Sequence, residues 1–300
     1  MPWSGKSRGG SFGYRFFIYI IRRFGIKFAY FFLVFIVVHF IPFAPLATKS
    51  NWKYFRKIQG YSFFKTIIML YKNYFRFGQI LIDKVAVRVG FAGKYRYEFE
   101  NYDAFLEKLN SNRGVILIGA HVGNWEAGGN FFGDYARKIN IVMYDAEYQK
   151  IKDILEQHLS PVAHKIIPIS ESDFSHIFSI KEALDNREYV CFQGDRFMGE
   201  KSSKTLDFMG YPARFPTGPF LLASRFEAPV VFYFSMRERG MKYRFIFNVT
   251  ELRKGKSGID ELMRLYIDSL EKILKKYPEQ WFNYYEFWNE SPAKSDKFSS

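Results

Sequence analysis

His121 and Glu126 stand five positions apart in the stretch Gly114-Val-Ile-Leu-Ile-Gly-Ala-His121-Val-Gly-Asn-Trp-Glu126-Ala-Gly-Gly129. An imidazole beside a carboxylate is common equipment for general-base chemistry. On one regular helix the two side chains would diverge by about 140°. With His121 in a turn and Glu126 in the first turn of a following helix, they can face each other. A carboxylate on one ring nitrogen then sets the tautomer and leaves the other nitrogen as the base; it also stabilises the imidazolium formed on proton uptake. No serine elbow at a strand end accompanies the pair, so a serine nucleophile is not indicated. The histidine would instead activate a hydroxyl of the substrate. The competing account is a histidine that merely caps the end of a strand.

Two further constellations could share that site. Val190-Cys-Phe-Gln-Gly-Asp195-Arg196 is a second apolar run that ends in a glycine turn with charges just beyond it. An arginine there suits a phosphate or a developing oxyanion; a rim salt bridge is the plain alternative. The third is Asp207-Phe-Met-Gly-Tyr-Pro-Ala-Arg214-Phe-Pro216-Thr-Gly-Pro219. Its prolines and glycines are expected to make a rigid loop leading into a helix N-terminus, a natural anion site. Arg214 and Asn124 join the candidate substrate-contacting residues, Asn124 also suiting a helix N-cap.

These residues need a scaffold that brings strand ends together. Val115–Ile118 are four aliphatic residues without polar alternation, the pattern of a strand buried on both faces in a parallel sheet. Gly119, Ala120 and Gly123 leave room for a sharp turn at its carboxyl end, where ligands bind in open α/β sheets. Further strands are expected at Ile141–Tyr144, Ile166–Ile169, Tyr189–Gln193 and Pro229–Phe234, with Tyr243–Val249 as an edge. Helices are expected near Asp103–Asn110 and over Asn124–Lys138, Ala146–Leu159, Phe174–Asn186, Thr217–Phe226 and Gly258–Lys276. Alternating strands and helices imply an α/β fold with a mostly parallel central sheet flanked by helices. The single Cys191 lies in an apolar strand, which suits a buried thiol and excludes an intramolecular disulfide framework.

The first 100 residues hold 17 Lys/Arg against 3 Asp/Glu, whereas residues 101–300 hold 27 of each. The whole +14 net charge therefore sits in the N-terminal third, together with an apolar run from Phe28 to Ala47 about long enough to cross a bilayer as a helix. Basic and aromatic residues around such a run favour an anionic lipid surface over nucleic acid. The chain divides into a flexible basic lead (1–15), a membrane anchor or re-entrant helix (16–50) and amphipathic interfacial helices (51–96). A catalytic domain (97–290) and a disordered tail (291–300) follow. Basic residues flank the apolar run on both sides, and His39, Pro42 and Pro45 interrupt its second half. Crossing the bilayer and dipping into one leaflet with both ends cytosolic are both open.

In order and spacing these blocks resemble the lipid A late acyltransferases, also called the lauroyl/myristoyl acyltransferase family. That family falls within the wider His-x4-Asp/Glu glycerolipid acyltransferase superfamily. The residues are Gly-Ala-His121-x4-Glu126, Gly-Asp195-Arg196, Phe208-Met-Gly-x-Pro-Ala-x-Phe-Pro216-x-Gly-Pro219, Ala228-Pro229-Val-Val and Tyr277-Pro-Glu-Gln-Trp281. The resemblance implies acyl transfer from acyl-carrier protein to a hydroxyl of a lipid A precursor or related envelope lipid. It places the enzyme on the cytoplasmic face of a bacterial inner membrane. His121 would be the base, Glu126 its orienting partner, and Asp195 with Arg196 a substrate-positioning or charge-stabilising pair, with no metal and no cofactor beyond the acyl donor. Val142-Met-Tyr-Asp145-Ala-Glu147 lacks the family's basic residue, and Trp281-Phe-Asn-Tyr-Tyr-Glu-Phe-Trp288 lacks its usual His/Arg ending. Both departures leave the acceptor open. Another lipid or glycolipid acceptor, a hydrolase using the same pair on water, and a non-catalytic lipid-binding scaffold are the alternatives.

Overall fold

The computed structural model describes residues 11–111, 113–124, 139–144, 164–169, 174–197, 202–250 and 255–288. The helices expected at Asn124–Lys138 and Ala146–Leu159, most of the N-terminal lead and the C-terminal tail lie outside these residues.

A seven-stranded sheet forms the centre, in the order β1-β9-β8-β2-β5-β3-β4. Its strands are β1 (Arg96–Glu100), β2 (Val115–Gly119), β3 (Ile139–Tyr144), β4 (His164–Ile169), β5 (Tyr189–Gln193), β8 (Val230–Arg237) and β9 (Lys242–Thr250). Five of the six pairings are parallel; only β8 and β9 run antiparallel. The unbroken aliphatic run of β2 is explained by its place between β8 and β5, where every residue is buried. Cys191 is buried in β5, and burial pushes its thiol up to about 12.

Two expectations need correction. Tyr243–Val249 is not an edge: β1 pairs alongside it from Arg96↔Lys242 to Glu100↔Ile246. The mixed polar and aromatic sequence Arg-Tyr-Glu-Phe-Glu has too little apolar character to stand out as a strand, and its outer edge position explains why. The Pro/Gly stretch around Arg214 is not a loop but most of an antiparallel hairpin, β6 (Ser203–Phe208) and β7 (Tyr211–Pro216). Its turn at Met209-Gly210 takes positive φ at both positions, which is the geometry tight hairpins demand.

Helices flank the sheet. After the N-terminal helices come α5 (Tyr102–Asn110), α6 (Ser175–Asp185), α7 (Gly218–Arg225) and α8 (Gly255–Lys276). α8 buries Leu262, Met263, Tyr266, Ile267, Leu270, Ile273 and Leu274, a helical stripe facing the core.

The N-terminal third folds as α1 (Ser11–Phe24), α2 (Ile26–Phe43), α3 (Pro45–Lys53) and α4 (Phe63–Ala86). Gly25, at φ 86°, reverses the chain so that Phe16 of α1 meets Phe32 of α2. Among the described residues α2 is the one helix long and apolar enough to cross a membrane, and it ends at Phe43 rather than continuing to Ala47. Pro45 cannot extend the ladder and opens α3 instead. One stripe of α2 (Ile26, Ala29, Leu33, Val37) is buried, and Phe28, Phe31, Phe35, Val38 and Phe43 are exposed. The buried stripe lies along α4, antiparallel to it: Tyr30 reaches Asp83, Leu33 packs at Gly78 and Phe40 meets Tyr74. A Cβ on Gly78 would lie 2.5 Å from Leu33 Cδ1, so glycine sets the closeness of the two helices. Gly78→Leu should destabilise the fold by about 1–3 kcal/mol through overpacking, measured by denaturant unfolding. Adding Leu33→Ala should recover part of the loss, and no recovery would disprove this packing.

Candidate functional site

The parallel register of β2 with β5 sets Gly119 opposite Gln193, so the turns that follow both strands emerge on one rim. Gly194 N–H donates to Gly119 O at 2.9 Å, and the Tyr266 hydroxyl from α8 donates to the same oxygen at 2.8 Å. The approach is close enough that a Cβ on Gly194 would fall 2.7 Å from Ile118 Cγ2 and 2.8 Å from Tyr266 Cζ. Gly123 has φ +55°, and a Cβ there would fall 2.1 Å from Ser235 O. The backbone shape at Gly123 thus requires glycine, and side-chain packing at Gly194 leaves little room for a Cβ.

This docking brings Asp195 onto His121. The carboxylate bridges two atoms of one residue: Oδ2 accepts the His121 backbone N–H at 2.9 Å, and Oδ1 meets Nδ1 at 2.8 Å. Asp195 is almost wholly buried and the His121 side chain is 17% exposed. Burial alone would raise the Asp195 carboxyl. The His121 charge and ring hydrogen bond, Arg196 and the His121 N–H outweigh it and hold the group below the ordinary carboxylate value. An ionised carboxylate only accepts hydrogen bonds, so Nδ1 carries a proton, and in the neutral form of the ring Nε2 holds the lone pair. The resulting imidazole can take a proton from a hydroxyl.

The C-terminal segment closes the site from the other side. Phe282 N–H donates to His121 O at 2.9 Å, Gly123 N–H donates to Gln280 O at 2.9 Å, and Val122 forms an isolated bridge with Trp281. The Tyr285 hydroxyl donates to Asp195 O at 3.2 Å, and the Arg196 guanidinium stands 5.9 Å from the Tyr285 ring centre. Asn124 is buried, with its N–H on Ser235 O at 2.8 Å. Its backbone role is therefore to anchor the turn onto β8. The structure gathers His121, Asn124, Asp195 and Arg196 on one rim. Arg214 sits on the neighbouring hairpin opposite Thr205, where Phe208 and Phe215 pack against Phe287.

Glu126 lies outside the described residues, and the carboxylate seen on His121 is that of Asp195. Sequence spacing points to the nearest acidic residue; a partner 74 positions away is reached only through strand pairing. Tyr285, Gln280 and Ser235 are likewise invisible as site-builders in one dimension. Among the described residues no group of three or more His, Cys, Asp or Glu could hold a metal ion.

Fold and site define an α/β protein with a histidine–carboxylate pair at the strand-end rim. The chain belongs to the bacterial lipid A biosynthesis acyltransferase family, whose model matches residues 65–289. It is 22% identical over 186 residues to the phosphatidylinositol mannoside acyltransferase of Mycolicibacterium smegmatis, covering 60% of this chain and 58% of that protein. It is 26% identical over 119 residues to the protein of the same description from Mycobacterium tuberculosis H37Rv, covering 38% of this chain and 36% of the relative. These alignments span less than two thirds of the relatives' length. The 1-acyl-sn-glycerophosphate acyltransferase PlsC of Thermotoga maritima aligns over 83% of this chain and 98% of its own, with a TM-score of 0.39 and 10% identity.

Because its carboxyl is held below the ordinary value, Asp195 contributes stability that is fully present above about pH 4 and is lost as pH falls through its folded value. Asp195→Asn should therefore be less stable than the parent at pH 6, with the gap narrowing in acid. Thermal unfolding across pH 3–7 checks this, and a gap that widens in acid would contradict the ionised clamp.

Proposed function

We propose that this protein is a membrane-associated O-acyltransferase that moves a fatty acyl chain from acyl-carrier protein to a hydroxyl of an envelope lipid, with His121 as general base. The observation that carries the reading is the two-point clamp of Asp195 on His121, in a chain whose family match spans 65–289. His121 Nε2 accepts the proton of the acceptor hydroxyl as its oxygen attacks the thioester carbonyl. The tetrahedral intermediate collapses, the C–S bond breaks, and the thiolate takes the proton from the imidazolium. An ester has formed and a thioester has been cleaved. Asp195 supports the imidazolium throughout, and Arg196 is assigned to the developing oxyanion or to an anionic acceptor group. Glu126 and Arg214 are retained as proposed contributors, Arg214 toward the acceptor.

A lipid A precursor is the leading acceptor, on the strength of the family. A glycolipid acceptor is the second reading, favoured by the two mycobacterial relatives described as phosphatidylinositol mannoside acyltransferases.

The location proposed is the cytoplasmic face of the inner membrane, with α2 lying in one leaflet rather than crossing. α2 packs lengthwise on α4, and α4 is held to the domain: Asn73 Nδ2 donates to Glu279 O and Trp281 O at 3.0 and 2.9 Å. A crossing α2 would have to drag α4 and its polar partners into the bilayer, where unsatisfied polar groups are costly. Seated in one leaflet, α2 offers its exposed aromatics to acyl chains, and Arg22, Arg23 and Lys27 lie exposed at the α1–α2 turn for headgroups.

The test incubates purified protein with acyl-carrier-protein thioester and either lipid A precursor or phosphatidylinositol mannoside in vesicles. Transfer to lipid is expected, and His121→Ala should lower it at least a hundredfold while leaving vesicle binding intact. Free fatty acid as the product would favour the hydrolase, no turnover the scaffold, and full activity of His121→Ala would remove the base assignment.

A further inference from the structure

We propose that Asp83 of α4 is a positioning residue for His121, and that through Tyr30 it ties the orientation of the base to the seating of the apolar helix α2. The proposal rests on the acyl-transfer reading of His121.

Asp83 is the sole acidic residue among the first 97 of the chain, and it is almost completely buried. Four donors converge on its two oxygens. Oδ1 accepts the hydroxyls of Tyr30 from α2 and Tyr95, the latter at 3.0 Å. Oδ2 accepts Arg237 Nε at 2.7 Å and the Tyr243 hydroxyl at 2.5 Å. Arg237 is buried at the end of β8; burial would lower its guanidinium, but Asp83, Tyr30 and Tyr243 more than offset this and raise it.

Two arms lead from this carboxylate to the turn that carries His121. In the first, the N–H of Asn124, three residues beyond His121, donates at 2.8 Å to the carbonyl of Ser235 on β8, two residues before Arg237. In the second, Gln280 grips both main-chain groups of Arg237: Oε1 accepts its N–H at 2.9 Å and Nε2 donates to its O at 2.7 Å. The Gln280 carbonyl in turn accepts Gly123 N–H, and two residues on Phe282 N–H donates to His121 O. A third arm runs outward. Tyr30 also accepts a hydrogen bond from Arg237 Nη2 at 3.0 Å, and its ring centre lies 5.1 Å from the guanidinium carbon.

A buried ion pair is a poor source of net stability, because well-packed apolar residues often do as well. What it provides is direction. Four hydrogen bonds on one carboxylate hold α2, α4, β8 and β9 in one relative geometry, and base catalysis is sensitive to displacements of an ångström. Lipid contacts act on the exposed face of α2, whose first-turn neighbour Tyr30 enters the cluster directly. A shift of α2 therefore reaches the His121 turn through a few directional bonds rather than through deformable packing.

The experiment compares full-length parent, Tyr30→Phe, Tyr243→Phe and Asp83→Asn on vesicles containing anionic lipid and acceptor. Tyr30→Phe cuts the arm to α2, and Tyr243→Phe removes the β9 donor to Asp83. For each, thermal unfolding, vesicle binding, kcat, KM for the acyl thioester and the Nδ1 proton resonance of His121 in 15N-histidine-labelled protein are recorded. Tyr30→Phe and Tyr243→Phe should stay folded and vesicle-bound, with unchanged KM, kcat about tenfold lower and a broadened Nδ1 resonance. Asp83→Asn should show a larger fall. Folded, vesicle-bound Tyr30→Phe with parental kcat and a sharp Nδ1 signal would overturn the proposal. So would a loss of activity that merely tracks the unfolded fraction. His121→Ala in the same series separates the two readings: its full turnover would remove the base assignment, leaving the ring resonance as the test of positioning.

Discussion

The parallel pairing of β2 with β5 is the constraint on which the site depends. Its register places the turn after Gly119 against the turn after Gln193, and the Gly194–Gly119 hydrogen bond locks them together. Only then can one carboxylate bind both the main chain and the ring of His121. A single-point contact would orient the ring about one bond. The two-point contact fixes the ring relative to its own backbone, which is what a base acting at a defined distance requires. The glycines at 119, 123 and 194 serve this approach, since a side chain at 123 or 194 would strike backbone or core atoms.

The rim is open in the sheet plane and is completed by residues from far along the chain. Residues 280–285 return to pair with Val122, bind the carbonyls of His121 and Asp195, and set the Tyr285 ring beside Arg196. The same segment anchors α4 through Asn73. Helical layer, C-terminal segment and active turn are thus one connected body. The apolar face of α2 therefore has a defined relation to the candidate base, a natural arrangement for chemistry on a substrate that resides in lipid.

Packing explains how so aromatic a chain stays ordered. Phe208, Phe215, Trp281, Phe287 and Trp288 form an edge-to-face and stacked cluster behind the hairpin, and Phe105 stacks on Phe247 at 3.9 Å. Rings in such arrangements gain about 0.5–1.5 kcal/mol per pair beyond area burial. The aromatics that remain exposed are concentrated on α1, α2 and α4. The 20% aromatic content is therefore divided between a ring-filled core and an exposed, aromatic helical surface.

Local pattern was enough to read the buried strands, the glycine turns beyond them, the isolated apolar helix and the basic N-terminal third. Each is written in contiguous residues: Val115–Ile118 has no polar alternation, Cys191 lies inside an apolar run, and 17 of the cations precede residue 101. Long-range partnership is not written that way. Spacing paired His121 with Glu126 because they are neighbours in the chain, whereas the observed clamp joins residues 74 apart through a strand register. β1 escaped notice because its residues alternate too weakly, and only its ladder with β9 makes it a strand. Asp83 drew no notice in the sequence, because its meaning depends on Arg237 and Tyr243, more than 150 residues away. Sequence by itself determined which segments bury and where the backbone can turn. The tertiary structure decided which side chains meet, because hydrogen bonds between distant residues form only after the sheet has set their distance.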